Sequence, residues 1–265
     1  MIGDKKELIN FYNKNGYLIF KLFSKNEINY FEKLIKIKAN KYLKKKNWKL
    51  QDYHKFTNQS VHKKVIENTA RFINVKKSII KKIQNQKIIN DILKLRWKHS
   101  KFYIPNLKYL HGTEKETTLK KINRNEILYR IVLPKKLHYA KSAPPHVDLN
   151  AGKINKRIDK NFIPMSFSLW VPIVGFSKKY TLRVAPGSHL VKHPLKKIKK
   201  QSKYVSPVFE NNYIKKFKFK RFNLKKGEVI FFDLNLLHGG ADNLGKRTRS
   251  SLEIRLYNQG EIKFS

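Results

Sequence analysis

The stretch from residue 227 to residue 240 reads Gly227-Glu228-Val229-Ile230-Phe231-Phe232-Asp233-Leu234-Asn235-Leu236-Leu237-His238-Gly239-Gly240. A turn glycine opens it, β-branched and aromatic residues follow, and a His-Gly-Gly sequence ends it, which is the pattern of a strand bounded by turns. A histidine at the end of a strand is held by a rigid element, as a metal ligand needs to be. The stretch therefore predicts a β-rich fold with a candidate ligand, His238, at a strand end.

A second motif supplies two more candidate ligands. The sequence Pro144-Pro145-His146-Val147-Asp148 places a histidine and a carboxylate two residues apart, so on a strand both would point to the same face. With His238 they form the two-histidine, one-carboxylate set that holds Fe(II) and leaves positions open. We therefore predict His146, Asp148 and His238 as metal ligands. Zinc in a hydrolase accepts the same set and is an alternative, although Arg249 would then have no evident role.

An arginine follows the last candidate ligand by 11 positions, at Arg249. In a strand it shares one face with Ser251, Glu253 and Arg255, and we expect this polar face to line a solvated cavity. A guanidinium pairs with a carboxylate through two parallel hydrogen bonds, so Arg249 is predicted to hold the distal carboxylate of 2-oxoglutarate. That co-substrate and O2 would use the open iron positions, and the Asp148 carboxylate favours hydroxylation over halogenation. An outer strand with solvated charges is the alternative.

The first hundred residues have mainly helical patterns. A short strand is predicted at 17–22, and Ser24-Lys25-Asn26-Glu27 predicts the start of a helix that runs to about residues 44–46. Two further helical patterns follow. Their apolar faces comprise Val65, Ala70, Phe72 and Ile73 in one, and Ile79, Ile80, Ile83, Ile88, Ile89 and Ile92 in the other.

Strand patterns dominate after about residue 125, at 127–133, 166–174, 227–237 and 250–257. Helices followed by many strands predict an α+β or mainly β fold, with a barrel or jelly roll buttressed by the N-terminal helices. We expect one domain over residues 1–265, helical to about 125 and a jelly-roll core over about 126–260. Residues 99–126 and 190–215 are polar and weakly patterned, and are predicted as lids or surface loops.

The 265 residues contain no cysteine and carry a formal net charge of +42. Disulfides and thiolate metal sites are therefore excluded. No signal peptide is recognisable and no uncharged apolar run approaches the roughly 18 residues of a membrane span, so a cytoplasmic protein is expected. The charge indicates a polyanionic partner, or, because Lys, Ile and Asn are scattered throughout, only an AT-rich genome.

The motifs together resemble the phytanoyl-CoA dioxygenase superfamily of Fe(II)- and 2-oxoglutarate-dependent oxygenases over nearly the full length. The residues that carry the resemblance are Gly16-Tyr17-Leu18-Ile19 with Phe23-Ser24, His146-Val147-Asp148, Leu169-Trp170-Val171-Pro172, Pro186-Gly187-Ser188-His189, Gly227-Glu228-Val229, His238-Gly239-Gly240 and Arg249-Ser250-Ser251-Leu252-Glu253. The resemblance implies a cupin-like double-stranded β-helix, the iron ligands named above and Arg249 as the 2-oxoglutarate anchor. It also implies that Trp170 lines the co-substrate pocket, although a core aromatic is an equal interpretation.

Members of the superfamily act on acyl-CoA thioesters, amino-acid derivatives, phosphonates, sugars and antibiotic precursors. Arg130, just before the metal motif, predicts a small polar or anionic metabolite or saccharide precursor as substrate. Two alternatives remain: an inert barrel with a binding role, and a nucleic-acid-binding protein. The latter would use two basic-aromatic stretches, 44–49 and 215–221, although the second also fits a half-buried strand with its lysines in water.

Overall fold

A computed structural model describes residues 4–66, 72–96, 102–103, 106–110, 120–125, 127–137, 143–149, 167–194, 209–239 and 241–258. Its centre is an antiparallel sheet in which β1 (Tyr17–Lys21), β9 (Glu228–Asp233), β6 (Phe167–Val174) and β10 (Arg249–Asn258) are neighbours in that order. β10 also pairs with β5 (Ile127–Val132) and with β2 (Phe102–Tyr103). The strands predicted in the second half are thus present, each within a few residues of its expected ends.

A second, smaller layer faces this sheet. It contains the ribbon of β7 (Arg183–Val184) and β8 (Lys220–Arg221), and His238 bridges both Val184 and His146. One apolar cluster fills the space between the layers, with Trp170, Ile230 and Phe232 from the large sheet against Leu182, Val184 and Leu236. Two antiparallel layers around a shared interior agree with the predicted jelly roll.

The opposite face of the large sheet packs on the helices. These are α1 (Lys5–Asn15), α2 (Lys25–Leu43), α3 (Gln59–Ile66), α4 (Lys77–Gln84) and α5 (Lys87–Arg96), with a 3-10 helix at Leu50–Lys55. The core between them joins Phe31 and Ile35 of α2 to Leu169, Phe231 and Leu252 of the sheet. The apolar face of β10 therefore packs as predicted, because Leu252, Ile254 and Leu256 are buried on this helical side. The polar face is less solvated than expected, since Ser251 and Arg249 are also buried.

The capping prediction for α2 is confirmed. The Ser24 hydroxyl accepts from the Glu27 amide at 3.2 Å, and the Glu27 carboxylate accepts from the Ser24 amide at 2.7 Å. Reciprocal bonds of this kind satisfy two amides that the first turn leaves unpaired. Gly227 also has the predicted turn role, since its φ is +91° and a Cβ there would lie 1.9 Å from the Phe23 carbonyl oxygen.

The two later helical predictions are wrong in their extent. α3 ends at Ile66, Ala70 lies outside the described residues, and Phe72 and Ile73 are extended beside β5, where the Ile73 amide donates to the Ile127 carbonyl at 3.0 Å. The isoleucine-rich pattern is two helices, α4 and α5. The Asn90 side chain donates to the Gln84 carbonyl at 2.9 Å, which satisfies a carbonyl at the end of α4.

The loop prediction for 99–126 is also wrong in part. Besides β2, this stretch contains β3 (Asn106–Leu110) and β4 (Lys120–Asn125), which pair with each other in an irregular antiparallel register. Their polar sequence lacks the apolar alternation that marks a half-buried strand. In 190–215 the described part contains a four-residue helix, Asn211–Ile214. Among the described residues, none of the helices combines the length and apolar character that crossing a bilayer requires.

Candidate active site

The three predicted metal ligands lie together at one end of the space between the two layers. Each of His146, Asp148 and His238 offers one ligand atom, and these three atoms all lie within 4.8 Å of one another. The His146 Nε2 atom lies 3.6 Å from Asp148 Oδ1, and the His238 Nε2 atom lies 3.8 Å from Asp148 Oδ2. Two imidazoles and one carboxylate converging in this way can hold one divalent ion from a single side.

The expectation that His146 and Asp148 lie on one strand is wrong. His146 forms an isolated antiparallel bridge with His238, and Asp148 begins a helical turn. The two amide–carbonyl bonds of the bridge, 2.8 and 3.0 Å long, hold the two histidines directly opposite each other. Their rings are 4.4 Å apart as a consequence. The turn after Val147, rather than the alternation of a strand, brings the Asp148 carboxylate close to both imidazoles.

Backbone carbonyls orient both imidazoles. The Nδ1 atom of His146 lies 2.8 Å from the Pro144 carbonyl oxygen, and that of His238 lies 2.9 Å from the Leu236 carbonyl oxygen. A carbonyl only accepts, so each Nδ1 carries a proton, and a ring in this tautomer would present its Nε2 lone pair to a bound metal. Burial, and after it the neighbouring His238, lowers the pKa of His146, against a smaller opposite effect of Asp148. Both effects favour the neutral, ligating form.

The glycine after His238 has a steric role. Gly239 has a φ of +90°, and a Cβ there would lie 3.0 Å from both the His146 Nδ1 atom and the Pro144 carbonyl oxygen. A larger residue would therefore push against the very hydrogen bond that orients His146. This explains the His-Gly part of the motif in physical terms.

Arg249 is nearly enclosed, with 6% of its surface exposed. Its Nη1 group donates to the Tyr180 and Ala241 carbonyls, each at 3.0 Å, while its buried Nε has no partner among the described residues. Burial, with smaller contributions from Arg221 and Arg130, lowers the pKa of Arg249 to about 9, so it is still a cation at neutral pH. A buried cation with an unsatisfied donor is a suitable partner for a carboxylate.

The family model of phytanoyl-CoA dioxygenase matches residues 12–251. The chain belongs to the phytanoyl-CoA dioxygenase family. Membership assigns it to the iron- and 2-oxoglutarate-dependent oxygenases, and the donor set and the buried cation described above fit those cofactors. Among curated proteins no match is found.

Several solved structures share the fold of this family member at low sequence identity. The epimerase SnoN in complex with Fe3+, α-ketoglutarate and nogalamycin RO has a TM-score of 0.53 at 12% identity, covering 96% of this chain and 83% of that one. EctD from S. alaskensis with 2-oxoglutarate and 5-hydroxyectoine has a TM-score of 0.53 at 14% identity, covering 98% and 77%. AviO1 from Streptomyces viridochromogenes Tue57 has a TM-score of 0.51 at 12% identity, covering 98% and 97%. These similarities confirm the predicted double-stranded β-helix.

In this phytanoyl-CoA dioxygenase family member, Trp170 lies on the same strand face as the metal site. It is two residues from Ser168, and Ser168 donates to the Asp148 carboxylate at 3.1 Å. Only 4% of the Trp170 surface is exposed, however, and its neighbours in the interior are apolar side chains. Its packing therefore accounts for its burial without a co-substrate contact.

Arg130 is placed at the site but is already paired. Its Nε and Nη2 atoms donate to the Glu253 Oε2 atom at 3.0 and 2.7 Å, while Arg255 contacts the other oxygen of Glu253 at 3.2 Å. Glu253 raises the pKa of His146, which indicates that this acidic group lies close to the metal site. The two arginines thus share one glutamate on this face of the sheet.

In neither basic-aromatic stretch is an aromatic ring fully exposed for stacking on nucleotide bases. Trp48 is buried and its indole N–H donates to the Asn40 side chain at 2.6 Å. Phe217 and Phe219 pack against the cluster of Val147, Ala185, Phe209 and Leu237. The alternating lysines, at positions 216, 218 and 220, are exposed. Only Lys220–Arg221 of this stretch is a strand. A nucleic-acid-binding role has no support from these positions.

Sequence reasoning missed two residues of the site, Ser168 and Glu253. Ser168 could have been found by strand alternation, because it lies two residues before Trp170 on a predicted strand. Glu253 appeared on the correct face of β10, but its pairing with Arg130 depends on β5 lying beside β10, which no local pattern reveals.

Proposed function

We propose that this protein is an oxygenase that uses Fe(II) and 2-oxoglutarate to hydroxylate a C–H bond of a small polar or anionic metabolite. The observation that supports it best is the convergence of three ligand atoms within 4.8 Å, with both histidines presenting Nε2. When bound, iron would let O2 oxidise both partners, so that 2-oxoglutarate yields succinate and CO2 with one oxygen atom and the substrate C–H bond becomes C–OH with the other. His146, Asp148 and His238 would hold the metal.

The protein residues have three tasks in this proposal. The carbonyls of Pro144 and Leu236 keep the imidazoles oriented and in the ligating tautomer. Ser168 orients the Asp148 carboxylate from behind. Arg249 would bind the distal carboxylate of 2-oxoglutarate, which would supply its missing counter-charge in a largely dry environment.

Asp148 bears on the reaction outcome, and Arg130 bears on the substrate class. The Asp148 carboxylate takes the position that a halide would need, which favours hydroxylation. A phytanoyl-CoA dioxygenase-like fold also serves other outcomes, since SnoN is an epimerase. For the substrate, the guanidinium of Arg130 beside the metal site favours a polar or anionic group. Arg130 would contact the substrate either with donors that Glu253 leaves unused or by releasing Glu253.

The test is anaerobic reconstitution with Fe(II), followed by addition of 2-oxoglutarate and a search for the weak visible absorption band of the iron chelate. We expect a band in the wild type, none in His146→Ala and a weaker one in Arg249→Ala. Circular dichroism would establish that each variant is folded. A folded, iron-loaded wild type without the band would contradict the 2-oxoglutarate assignment. A positive result would be followed by a substrate screen that measures succinate release.

A further inference from the structure

A cavity with a strongly basic lining lies at the β7–β8 ribbon, apart from the metal ligands. It has a volume of about 410 Å³ and is lined by Lys178, Lys179, Arg183, Phe219, Arg221 and Leu244. We refer to it as the basic pocket. Four of the six lining residues are cations and none is acidic. The proposed co-substrate and metal residues are not part of this lining, so the proposed function gives the basic pocket no role.

The two arginines of the basic pocket form an unfavourable pair. Arg183 of β7 and Arg221 of β8 are directly opposite each other in the antiparallel register. Like charges at directly opposite positions of two strands repel and destabilise the pairing. The high lysine content of the chain does not account for this pair. Scattered lysines can lie far apart on the surface, whereas these two arginines are held side by side by strand pairing.

Backbone carbonyls fix both guanidinium groups in place. The Arg183 Nε donates to the Gly239 carbonyl at 2.8 Å, and its guanidinium lies 4.4 Å from the centre of the Phe219 ring. The Arg221 Nη1 donates to the Asp242 carbonyl at 2.9 Å and to the Lys179 carbonyl at 3.2 Å. Neither side chain can therefore swing into solvent to relieve the repulsion without breaking these bonds.

Neither arginine forms a direct salt bridge in the described part of the chain. Asp242 acts electrostatically on both, but its carboxylate pairs with Lys135 at 2.9 Å. Burial lowers the pKa of each arginine, and the charge of Arg183 lowers that of Arg221 further. Two partly desolvated cations with no directly paired anion raise the free energy of the folded chain, and an anion bound between them would reduce that penalty.

We propose that the basic pocket binds a phosphate-sized dianion, carried by a small metabolite. Guanidinium forks match phosphate oxygens through paired hydrogen bonds, and the exposed Lys178 and Lys179 add mobile positive charge at the opening. A volume of about 410 Å³ is that of a small-molecule site rather than a single-ion site. Phe219 and Leu244 provide an apolar wall for the body of such a metabolite.

The experiment is calorimetric titration of metal-free protein at physiological ionic strength with inorganic phosphate, glucose 6-phosphate and glucose. We expect one saturable site per chain for both phosphates, tighter binding of the sugar phosphate, and no binding of glucose. Equal affinity for the two phosphates would identify the free ion as the whole ligand. Because iron and 2-oxoglutarate are absent, the result is independent of the proposed oxygenase activity.

Variants distinguish the basic pocket from the high net charge. Arg221→Gln should weaken binding by about tenfold or more, which is typical for the loss of a charge-assisted bond. Since Arg221 also holds backbone carbonyls, the double variant Lys178→Gln/Lys179→Gln provides a test with exposed side chains only. Its matched control is Lys63→Gln/Lys64→Gln, another adjacent and exposed pair, on α3. The proposal is overturned if no saturable binding occurs, or if both double variants weaken it equally.

Discussion

Arg249 and Arg221 hold the same two backbone segments together from neighbouring positions. Arg249 donates to the carbonyls of Tyr180 and Ala241, and Arg221 donates to those of Lys179 and Asp242. The segments 178–180 and 241–242 therefore separate the proposed co-substrate anchor from the basic pocket. The charge of Arg221 also lowers the pKa of Arg249, so an anion near either arginine would affect the other.

Replacing Arg249 by lysine should weaken 2-oxoglutarate binding while iron binding is kept. Lysine retains the charge but loses the planar fork and cannot satisfy two backbone carbonyls and a carboxylate together. We expect the dissociation constant to rise about tenfold to a hundredfold. The measurement is titration of the visible band of the anaerobic iron complex. Arg247→Lys is a matched control, because Arg247 is exposed and only two positions away. Equal affinity in both variants would exclude Arg249 as the anchor.

Strand positions were accessible to prediction because their side chains alternate between a buried and a site-facing direction. β10 is the best example: Leu252 and Ile254 are buried on the helical side, as their spacing requires. The candidate ligand residues were also recognisable, since a histidine and a carboxylate in one short motif are chemically specific. Their local geometry was not, because the helical turn at Asp148 has no signal in three residues.

Longer-range features could not be predicted from single-sequence patterns. The Ile79 to Ile92 pattern continues through the break between α4 and α5, since both helices bury isoleucines at similar spacing. Phe72 and Ile73 look helical by spacing but bury themselves as an extended segment beside β5. In both cases tertiary packing decides the structure. The free energy of local helix propensity is smaller than the free energy gained by burying a large apolar side chain.

Removing the Ser168 hydroxyl should weaken iron binding. Ser168 donates to Asp148 Oδ2 at 3.1 Å from a fully buried position, and partners behind a metal ligand typically contribute tenfold to a hundredfold to affinity. We therefore expect Ser168→Ala to raise the iron dissociation constant by about that factor. Competition with a chromophoric chelator measures it under anaerobic conditions.

Ser250→Ala is the control for this change. Ser250 is also fully buried, on the neighbouring strand, but its hydroxyl has no hydrogen-bond partner in the described part of the chain. Its removal should leave iron affinity unchanged and affect the free energy of unfolding by less than about 1 kcal/mol. If the two alanine variants bound iron alike, Ser168 would have no orienting role.

Glu253→Gln should destabilise the folded protein by leaving two arginines without their shared counter-ion. The glutamate side chain is 17% exposed and the Arg130 side chain 36%, so solvent screens part of the interaction. We expect a loss of roughly 1–2 kcal/mol in the free energy of unfolding, less than for a fully buried pair. Urea denaturation of Arg130→Gln, Glu253→Gln and the double variant gives the coupling energy. Strictly additive losses would show that the pair contributes nothing.

His62 should make the protein less stable in mild acid. The ring is 7% exposed beside Tyr53, and burial lowers the pKa of His62 from 6.5 to about 4. Between these values the unfolded chain binds a proton that the folded chain does not, so stability falls as pH drops from 6.5 towards 4, by up to about 3 kcal/mol. Urea midpoints of metal-free protein should therefore decrease over this window, and less so in His62→Gln. His54→Gln, which replaces a more exposed histidine, should change the slope less. Identical slopes for wild type and His62→Gln would assign the acid sensitivity to other groups.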